Sequence, residues 1–264
     1  MTTNLYLLTA KSNLHAGAGS SNYGVIDNLV QRDVTDEYPN IFSSSLKGAF
    51  REWFESSKSK IEGELVFGSA DKGKSNVSFS DAHLLALPVR SNEKPYFMAT
   101  SPYLLKKFKA IVSNDYGIDP KKISIINDID LLLKNSQNLP KVIGKKIDNL
   151  KIEDYENVQS DVVNIPSLNG ILGDNIVVLS DEDMKAQCSD YSLPVIARNC
   201  LENGQSTNLW YEQIIPRQSC FYFVLESSAK GQSLISAITE QSLVQIGANA
   251  TVGYGRCTIK ILNS

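Results

Sequence analysis

Residues 43–56 read SSSLKGAFREWFES and predict an amphipathic helix in the first quarter of the chain. Its apolar residues fall on one face at helical spacing, and they are Leu46, Ala49, Phe50, Trp53 and Phe54. One of the three leading serines is expected to cap the first turn, because a hydroxyl can accept a free backbone N–H there. The stretch is therefore predicted to be the first helix of the core.

Strand-like segments flank this helix on both sides. Residues 4–13 carry apolar side chains on both faces and predict a central strand, and residues 77–89 predict another. The later patterns predict a helix at 102–110, a strand at 209–226, a helix at 233–246 and a strand at 256–262. This order predicts an α+β fold with a ferredoxin-like (RRM-like) βαββαβ core. Residues from about 105 to 190 are interpreted as insertions on that core.

Composition limits the function classes. The chain has 264 residues, 42% of them hydrophobic, and a formal net charge of −3. A sizeable core is expected, whereas a free-standing nucleic-acid binder would usually be basic because it must neutralise phosphates. A local basic excess lies between Lys106 and Lys146, where nine lysines accompany four aspartates. A solvated surface is the alternative interpretation of that stretch.

Cysteine usage and the N-terminus favour a cytoplasmic protein without a membrane partner. The four cysteines form no CxxC pair and the chain has two histidines, so a structural zinc site is not expected. Reduced, mostly buried thiols are typical of the cytosol. Residues 1–13 lack the pattern of a signal peptide, and no apolar run reaches the length needed to cross a bilayer.

A glycine-rich loop, GANATVGYGR, spans Gly247 to Arg256. Glycine lets backbone amides approach a phosphate closely, and Arg256 would add positive charge. The loop is not a dinucleotide fingerprint, because it precedes a strand instead of opening a helix. A simple tight turn is the alternative interpretation.

The helix start at Ser43 is a second candidate for anion binding. Small hydroxyl residues leave backbone donors free there, and the helix dipole favours an anion. Lys47 and Arg51 lie four residues apart and can point the same way. The alternative is a capped helix with two surface cations.

Two further features carry candidate chemistry. Asp27 lies in a glycine-containing region between His15 and Arg32, where a carboxylate can bind a divalent metal or accept a proton. Glu212 ends the aromatic LWYE segment, and a polar hairpin tip at about 198–208 precedes it. Taken singly, the first can be a turn residue and the second an exposed strand residue.

Together these motifs, in this order, resemble the RAMP superfamily of CRISPR proteins. Within it they are most similar to the fourth, backbone subunits of the type III-B (Cmr) RNA-guided effector complex. The matching segments are LHAGAG (14–19), VIDNLVQRD (25–33), SSLKGAFRE (44–52), LVFGS (65–69), FSDAHLL (79–85), TSPYLLKKF (100–108), LWYEQIIP (209–216) and IGANATVGYGRC (246–257). The resemblance spans nearly the whole chain and implies a single RAMP domain over residues 1–264.

The resemblance implies a role in antiviral defence. Such subunits stack with copies of themselves and with other Cmr-type subunits along a CRISPR guide RNA. A thumb hairpin, here about 196–212, displaces a base of the guide–target duplex at regular intervals. In this family the aspartate of the VID segment is required to cut the complementary target RNA, and that residue is Asp27. It would hold Mg²⁺ or Mn²⁺ or accept the proton of the attacking 2′-OH.

The resemblance also implies roles for other residues. His15 and Glu212 are expected to support catalysis, although Gln213 and Ile214 replace the acidic and aromatic residues that often follow the glutamate. The expected RNA contacts are Ser44, Ser45, Lys47, Arg51, Arg32, Arg198, Gly253, Tyr254, Gly255 and Arg256. Two alternatives stay open: a non-catalytic guide-binding scaffold, and a RAMP endoribonuclease that processes precursor CRISPR RNA at a histidine-centred site.

Overall fold

A computed structural model describes residues 1–20, 24–71, 73–174 and 176–263, with the backbone alone at residue 20. The chain is a mixed α+β protein, as predicted. Its strands are β1 Thr2–Ala10, β2 Gly17–Ser20, β3 Asn28–Val30, β4 Asn40–Ile41, β5 Val77–Phe79, β6 Ala82–Val89, β7 Phe97–Thr100, β8 Lys141–Gly144, β9 Gln159–Val162, β10 Ile176–Val178, β11 Val195–Glu202, β12 Gln205–Gln213, β13 Cys220–Ser227, β14 Leu243–Gln245 and β15 Arg256–Ile261. Its α-helices are α1 Ser43–Ser57, α2 Lys60–Phe67, α3 Pro102–Ala110, α4 Ile126–Lys134, α5 Pro166–Leu172, α6 Asp181–Gln187 and α7 Gln232–Glu240.

The main sheet is built around β1. Strands follow the order β14-β15-β1-β13-β6-β7-β10-β8-β9, and β15, β1, β13 and β6 are antiparallel to their neighbours. Alternate residues of β1 enter two different hydrophobic clusters: Tyr6 and Leu8 lie in one, Leu5 and Leu7 in the other. The predicted central strand with two apolar faces is thereby confirmed.

Helix α1 packs on one face of this sheet. Leu46, Phe50 and Phe54 are fully buried, and the Phe50 ring lies 5.7 Å from that of Phe223 on β13. The predicted serine cap was wrong. Residue 42 occupies the cap position without a side-chain bond, and Asp81 Oδ1 accepts the Ser43 N–H at 2.7 Å. A distant carboxylate therefore caps the helix, which no local pattern could indicate.

Three predicted elements are shorter than expected. The segment 77–89 divides at Ser80–Asp81 into β5 and β6, because Asp81 turns to cap α1. The segment 209–226 divides around Pro216, which has no N–H to donate to a ladder. The helix predicted at 233–246 ends at Glu240 and is followed by β14. The helix at 102–110 is confirmed.

The residues between about 105 and 190 add to the same sheet. Strands β8, β9 and β10 extend it beyond β7, and helices α4 and α5 contribute Ile129 and Leu168 to the second hydrophobic cluster. These residues therefore widen the body of the molecule and do not form a separate sheet.

A long hairpin, β11–β12, forms half of a second sheet, whose strand order is β11-β12-β3-β2. Strands β11 and β12 are joined by Asn203 and Gly204, both with positive φ (51° and 81°). Such a two-residue turn matches the twist of antiparallel strands. The base of this hairpin carries the residues of the candidate site.

Candidate functional site

The end of β12 joins the three predicted catalytic residues. Asp27 is bound to Tyr211 through two hydrogen bonds: its N–H donates to Tyr211 O at 3.1 Å, and its Oδ2 accepts the Tyr211 N–H at 2.7 Å. Asp27 is exposed, and its Oδ1 has no partner among the described residues. One carboxylate oxygen is therefore fixed by the hairpin while the other is open to solvent.

His15 is attached to the same strand two residues further on. It is buried, and its Nδ1 lies 2.7 Å from the carbonyl oxygen of Gln213. A carbonyl oxygen only accepts, so Nδ1 donates this hydrogen bond. The ring packs against Gly17, where a Cβ would come within 3.0 Å of His15 Nε2. This packing suits a residue that positions the loop more than one that meets solvent.

Glu212 lies between these two attachments and is only 6% exposed. Its carboxylate accepts from Trp210 Nε1 at 3.0 Å, Arg198 Nε at 2.5 Å and Asn249 Nδ2 at 2.8 Å. Burial raises the pKa of this carboxyl, but the three donors and the Arg198 charge together hold its pKa below the usual value. Glu212 is therefore an ionised anchor whose oxygens are already engaged.

The glycine-rich loop closes over this anchor. Asn249 adopts a left-handed conformation (φ 65°) and bonds Glu212, while the Arg198 guanidinium lies 4.9 Å from the centre of the Tyr254 ring. These contacts join the hairpin to the loop at two points, Glu212 of β12 to Asn249 and Arg198 of β11 to Tyr254. The hairpin and the glycine-rich loop consequently form one structural unit.

Close packing explains two of the loop glycines. Gly247 has φ 79°, and a Cβ there would lie 2.4 Å from His15 O. Gly255 has φ 73°, and a Cβ there would lie 2.0 Å from Ile246 O. Gly253 also has a positive φ of 86° but faces open space. The loop is thus a tight turn at 247 and 255, and Gly253 is the glycine with room beside it for a ligand.

The start of α1 borders the same loop. Ser45, Gly247 and Ala250 line one cavity between them. The Ser45 hydroxyl accepts from Gln31 Nε2 at 2.9 Å, and Ser44 is exposed.

The two predicted cations of α1 differ in their surroundings. Lys47 forms no ion pair with the residues that the structure describes, whereas Arg51 pairs with Glu55 at 2.7 Å and donates to Gly68 O at 3.2 Å. Lys47 therefore offers its charge to a ligand more readily than Arg51.

The Arg32 guanidinium is already bonded to other groups of the protein. Its guanidinium donates to Glu37 O and Cys188 O at 2.8 and 2.7 Å and pairs with Asp190 at 2.8 Å. An RNA contact by Arg32 stays a prediction, and it would have to compete with these bonds. The same holds for Arg198, which is committed to Glu212 and Tyr254.

Two buried amides that sequence reasoning missed assemble the site. Gln213 is fully buried; its Oε1 accepts the Val30 N–H at 3.2 Å and its Nε2 reaches Asp190 Oδ1 at 3.2 Å. Gln31 donates to Gly17 O and accepts the N–H of residue 42. Both lie in the quoted motifs VIDNLVQRD and LWYEQIIP, which was the available signal. Neutral amides carry no charge pattern that would single them out.

The chain resembles known proteins in both sequence and fold. The model of the RAMP superfamily matches residues 7–258. The chain belongs to the RAMP superfamily. Among similar RAMP proteins, the CRISPR system Cmr endoribonuclease Cmr4 of Pyrococcus furiosus is 26% identical over 291 residues, covering 95% of this chain and 92% of the relative. The CMR subunit Cmr4 of Saccharolobus solfataricus is 24% identical, covering 98% and 96%.

Solved structures agree with this assignment. A chain of the type III-B Cmr-beta complex bound to cognate target RNA has a TM-score of 0.84 and 25% identity, covering 99% of this RAMP chain and 98% of its own. The apo complex gives 0.83 at 25% identity, covering 98% and 97%. Oligomeric Cmr4 from P. furiosus, at 19% identity and full coverage of both chains, has a TM-score of 0.69 and shows the shared fold alone.

A divalent metal enclosed by protein needs several His, Cys, Asp or Glu ligands close together. Among the described residues, no group of three or more His, Cys, Asp or Glu side chains is placed to hold an ion. Asp27 offers a single free carboxylate oxygen, and Glu212 is already engaged. Mg²⁺ is often bound by one or two carboxylates and completed by waters and substrate phosphates. The residues therefore fit an ion shared with RNA, not one enclosed by protein.

None of the helices in the described part of the chain has the length and apolar character required to span a bilayer.

Proposed function

We propose that this RAMP chain is a backbone subunit of a type III-B effector complex that binds guide RNA and cleaves complementary target RNA. The names and structures of its relatives support this role, among them a Cmr endoribonuclease and a complex bound to target RNA. The observation that carries the catalytic part is the exposed Asp27 carboxylate fixed to the base of the hairpin. Its partners would be guide RNA, target RNA, copies of itself and other Cmr-type subunits.

The finer architecture is part of the proposal. The order β15-β1-β13-β6, with α1 and α7 as the crossover helices, corresponds to a ferredoxin-like βαββαβ core. We assign the hairpin β11–β12 as the thumb. A cytoplasmic location stays a prediction from the sequence.

Cleavage would proceed by attack of a ribose 2′-OH on the adjacent phosphorus. The bond from O2′ to phosphorus forms, and the bond from phosphorus to O5′ breaks. Asp27 Oδ1 would accept the 2′-OH proton, and the departing O5′ would take a proton from water. The products carry a 2′,3′-cyclic phosphate and a 5′-OH. A divalent ion, if bound at Asp27, would neutralise charge that develops on the phosphate.

The hairpin gives this chemistry its position. Displacement of a base by the thumb would free the neighbouring ribose from A-form geometry so that its 2′-OH can align with the phosphorus. Asp27 is attached to the hairpin because it is bonded to both the N–H and the carbonyl oxygen of Tyr211. His15 and Glu212 would act as positioning residues, since both are buried, His15 Nδ1 is bonded to Gln213 O, and both Glu212 oxygens already accept hydrogen bonds.

Guide binding would use the surface shared by the start of α1 and the glycine-rich loop. Replacing Lys47 with Ala should flatten the plot of log affinity against log salt concentration by about 0.7, the value for one phosphate on a single strand. Arg51→Ala should change it less, because Glu55 already neutralises that charge. Equal slopes for Lys47→Ala and wild type would contradict the assignment.

A precursor-processing RAMP enzyme is the second candidate. Such an enzyme would need an accessible histidine, whereas His15 is buried with Nδ1 committed to Gln213. Incubating the isolated protein with precursor CRISPR RNA tests this directly, and clean cutting inside the repeats would favour the second candidate.

The proposed function is tested with the reconstituted complex, a guide and a matching RNA. Regularly spaced cuts that disappear in Asp27→Ala, while guide and target binding persist, support a catalytic subunit. Persistent cutting in Asp27→Ala would leave the chain as a binding scaffold.

A further inference from the structure

Three cationic residues are part of, or bonded to, one turn at the end of β1. The Lys11 N–H donates to Arg256 O at 2.7 Å, and the Arg256 N–H donates to Ser12 Oγ at 3.0 Å. The Arg217 N–H donates to Asn13 Oδ1 at 3.3 Å. The turn at residues 11–13 therefore holds the backbones of Lys11, Arg217 and Arg256 side by side, and all three residues are exposed.

This cationic cluster, Lys11, Arg217 and Arg256, has no ion-paired counter-charge among the described residues. None of the three forms an ion pair with a described residue, whereas each of the other arginines does; those are Arg32, Arg51, Arg90 and Arg198. Grouped like charges repel one another, and in a chain with net charge −3 carboxylates were available to pair them. The arrangement suits a ligand that brings several negative charges.

The cluster adjoins the glycine-rich loop, which contains Arg256 itself. Gly255 N–H donates to Asn13 O at 2.8 Å, and Ala248 N–H donates to His15 O at 2.9 Å. The turn at 11–13 is therefore bonded to the same loop that borders the start of α1. A polyanion bound along the loop would have the exposed cations of the turn beside it.

We propose that Lys11 and Arg217, together with Arg256, form a phosphate-binding track for RNA that extends the surface shared by the start of α1 and the glycine-rich loop. The proposal rests on the proposed function and deepens it by adding two residues that the sequence motifs do not include. A guanidinium pairs with phosphate through parallel hydrogen bonds, and the ammonium of Lys11 acts as a point charge. An acidic protein surface could also meet three cations, but the continuity with the loop favours RNA.

The test is a salt titration of the full chain with fluorescent guide RNA, read by anisotropy. Each phosphate contact on a single strand contributes about 0.7 to the slope of log affinity against log salt. The variant Lys11→Ala/Arg217→Ala should lose about 1.4, and addition of Arg256→Ala should bring the loss to about 2. Lys151→Ala is the matched control, because Lys151 is exposed but already paired with Glu156 at 2.6 Å. Its slope should equal that of wild type.

A second titration identifies which RNA, guide or target, is bound by the track. The same slopes are measured for labelled target RNA binding to guide-loaded protein. A reduced slope with guide RNA alone assigns the track to the guide. A reduced slope confined to the second titration assigns it to the target RNA. Either outcome supports the proposal. If the triple variant has the wild-type slope in both titrations, the proposed track is overturned. This holds also if the variant only fails to assemble with protein partners. If Lys47→Ala still flattens the slope, the proposed guide binding survives that failure.

Discussion

Glu212→Ala is the substitution whose consequence follows most directly from the contacts. It removes the acceptor of three hydrogen bonds and leaves Arg198 without its counter-charge. The hairpin and the glycine-rich loop are joined through this carboxylate, so the loss should loosen both. The change acts on stability and on the position of Asp27, not on a group that touches RNA.

The expected loss of stability follows from the burial of the Arg198–Glu212 pair. Removing one member of a buried ion pair costs about 3–5 kcal/mol, because the other charge stays desolvated. The Arg198 side chain is 18% exposed, so water recovers part of that cost and the lower value, about 3 kcal/mol, is expected. For a chain of this size that corresponds to a melting temperature lower by about 6–12 °C.

Thermal denaturation followed by circular dichroism measures this loss. Glu202→Ala is the matched control, because Glu202 lies in the same hairpin, is exposed and has no ion pair among the described residues. The difference between Glu212→Ala and wild type should shrink in acid. A carboxyl with a lowered folded pKa stabilises the protein above the usual glutamate pKa and loses that contribution as pH falls through the lowered value. A melting temperature within about 2 °C of wild type at pH 7 would refute the anchor role.

Two further predictions concern packing and charge away from Asp27. Gly255→Ala should cost about 3 kcal/mol or more and Gly253→Ala about 1 kcal/mol in urea denaturation, because both have positive φ but only Gly255 lacks space; equal losses would contradict this. Burial raises the pKa of Asp33, but hydrogen bonds from Lys107 and Thr35 lower it to about 2. The stability that the ionised Asp33 contributes is therefore lost as pH falls from about 4 to 2. Lys107→Met should reduce the dependence of the unfolding free energy on pH in that range. An unchanged pH dependence would count against the Asp33–Lys107 pair.

Local signals predicted the elements that depend on local chemistry. The helix at 102–110 begins at Pro102 after Ser101, whose hydroxyl accepts the Leu104 N–H. The hairpin follows from Asn203-Gly204 between alternating strands. Both signals lie within a few residues of the structure they specify, which is why the sequence alone sufficed.

Contacts between distant residues could not be predicted in the same way. The cap of α1 comes from Asp81, and the fixed position of Asp27 depends on the backbone of Tyr211. The loss of Arg32 and Arg198 to internal carboxylates was likewise invisible, because a cation in a motif has the same appearance whether it pairs with protein or with RNA. The sequence therefore shows which residues are cationic, but it does not show which of them are free to bind RNA.

In the proposed function, the free carboxylate oxygen of Asp27 takes part in cutting the target RNA. The most direct measurement is the single-turnover cleavage rate of reconstituted complexes containing wild type, Asp27→Asn or the exposed control Asp154→Asn, at equal guide occupancy and saturating target. Asp27→Asn keeps an acceptor for the Tyr211 N–H but removes the charge, so the rate should fall at least about 100-fold while Asp154→Asn stays at the wild-type rate. Regularly spaced cleavage by Asp27→Asn within about tenfold of wild type would contradict a catalytic role for Asp27.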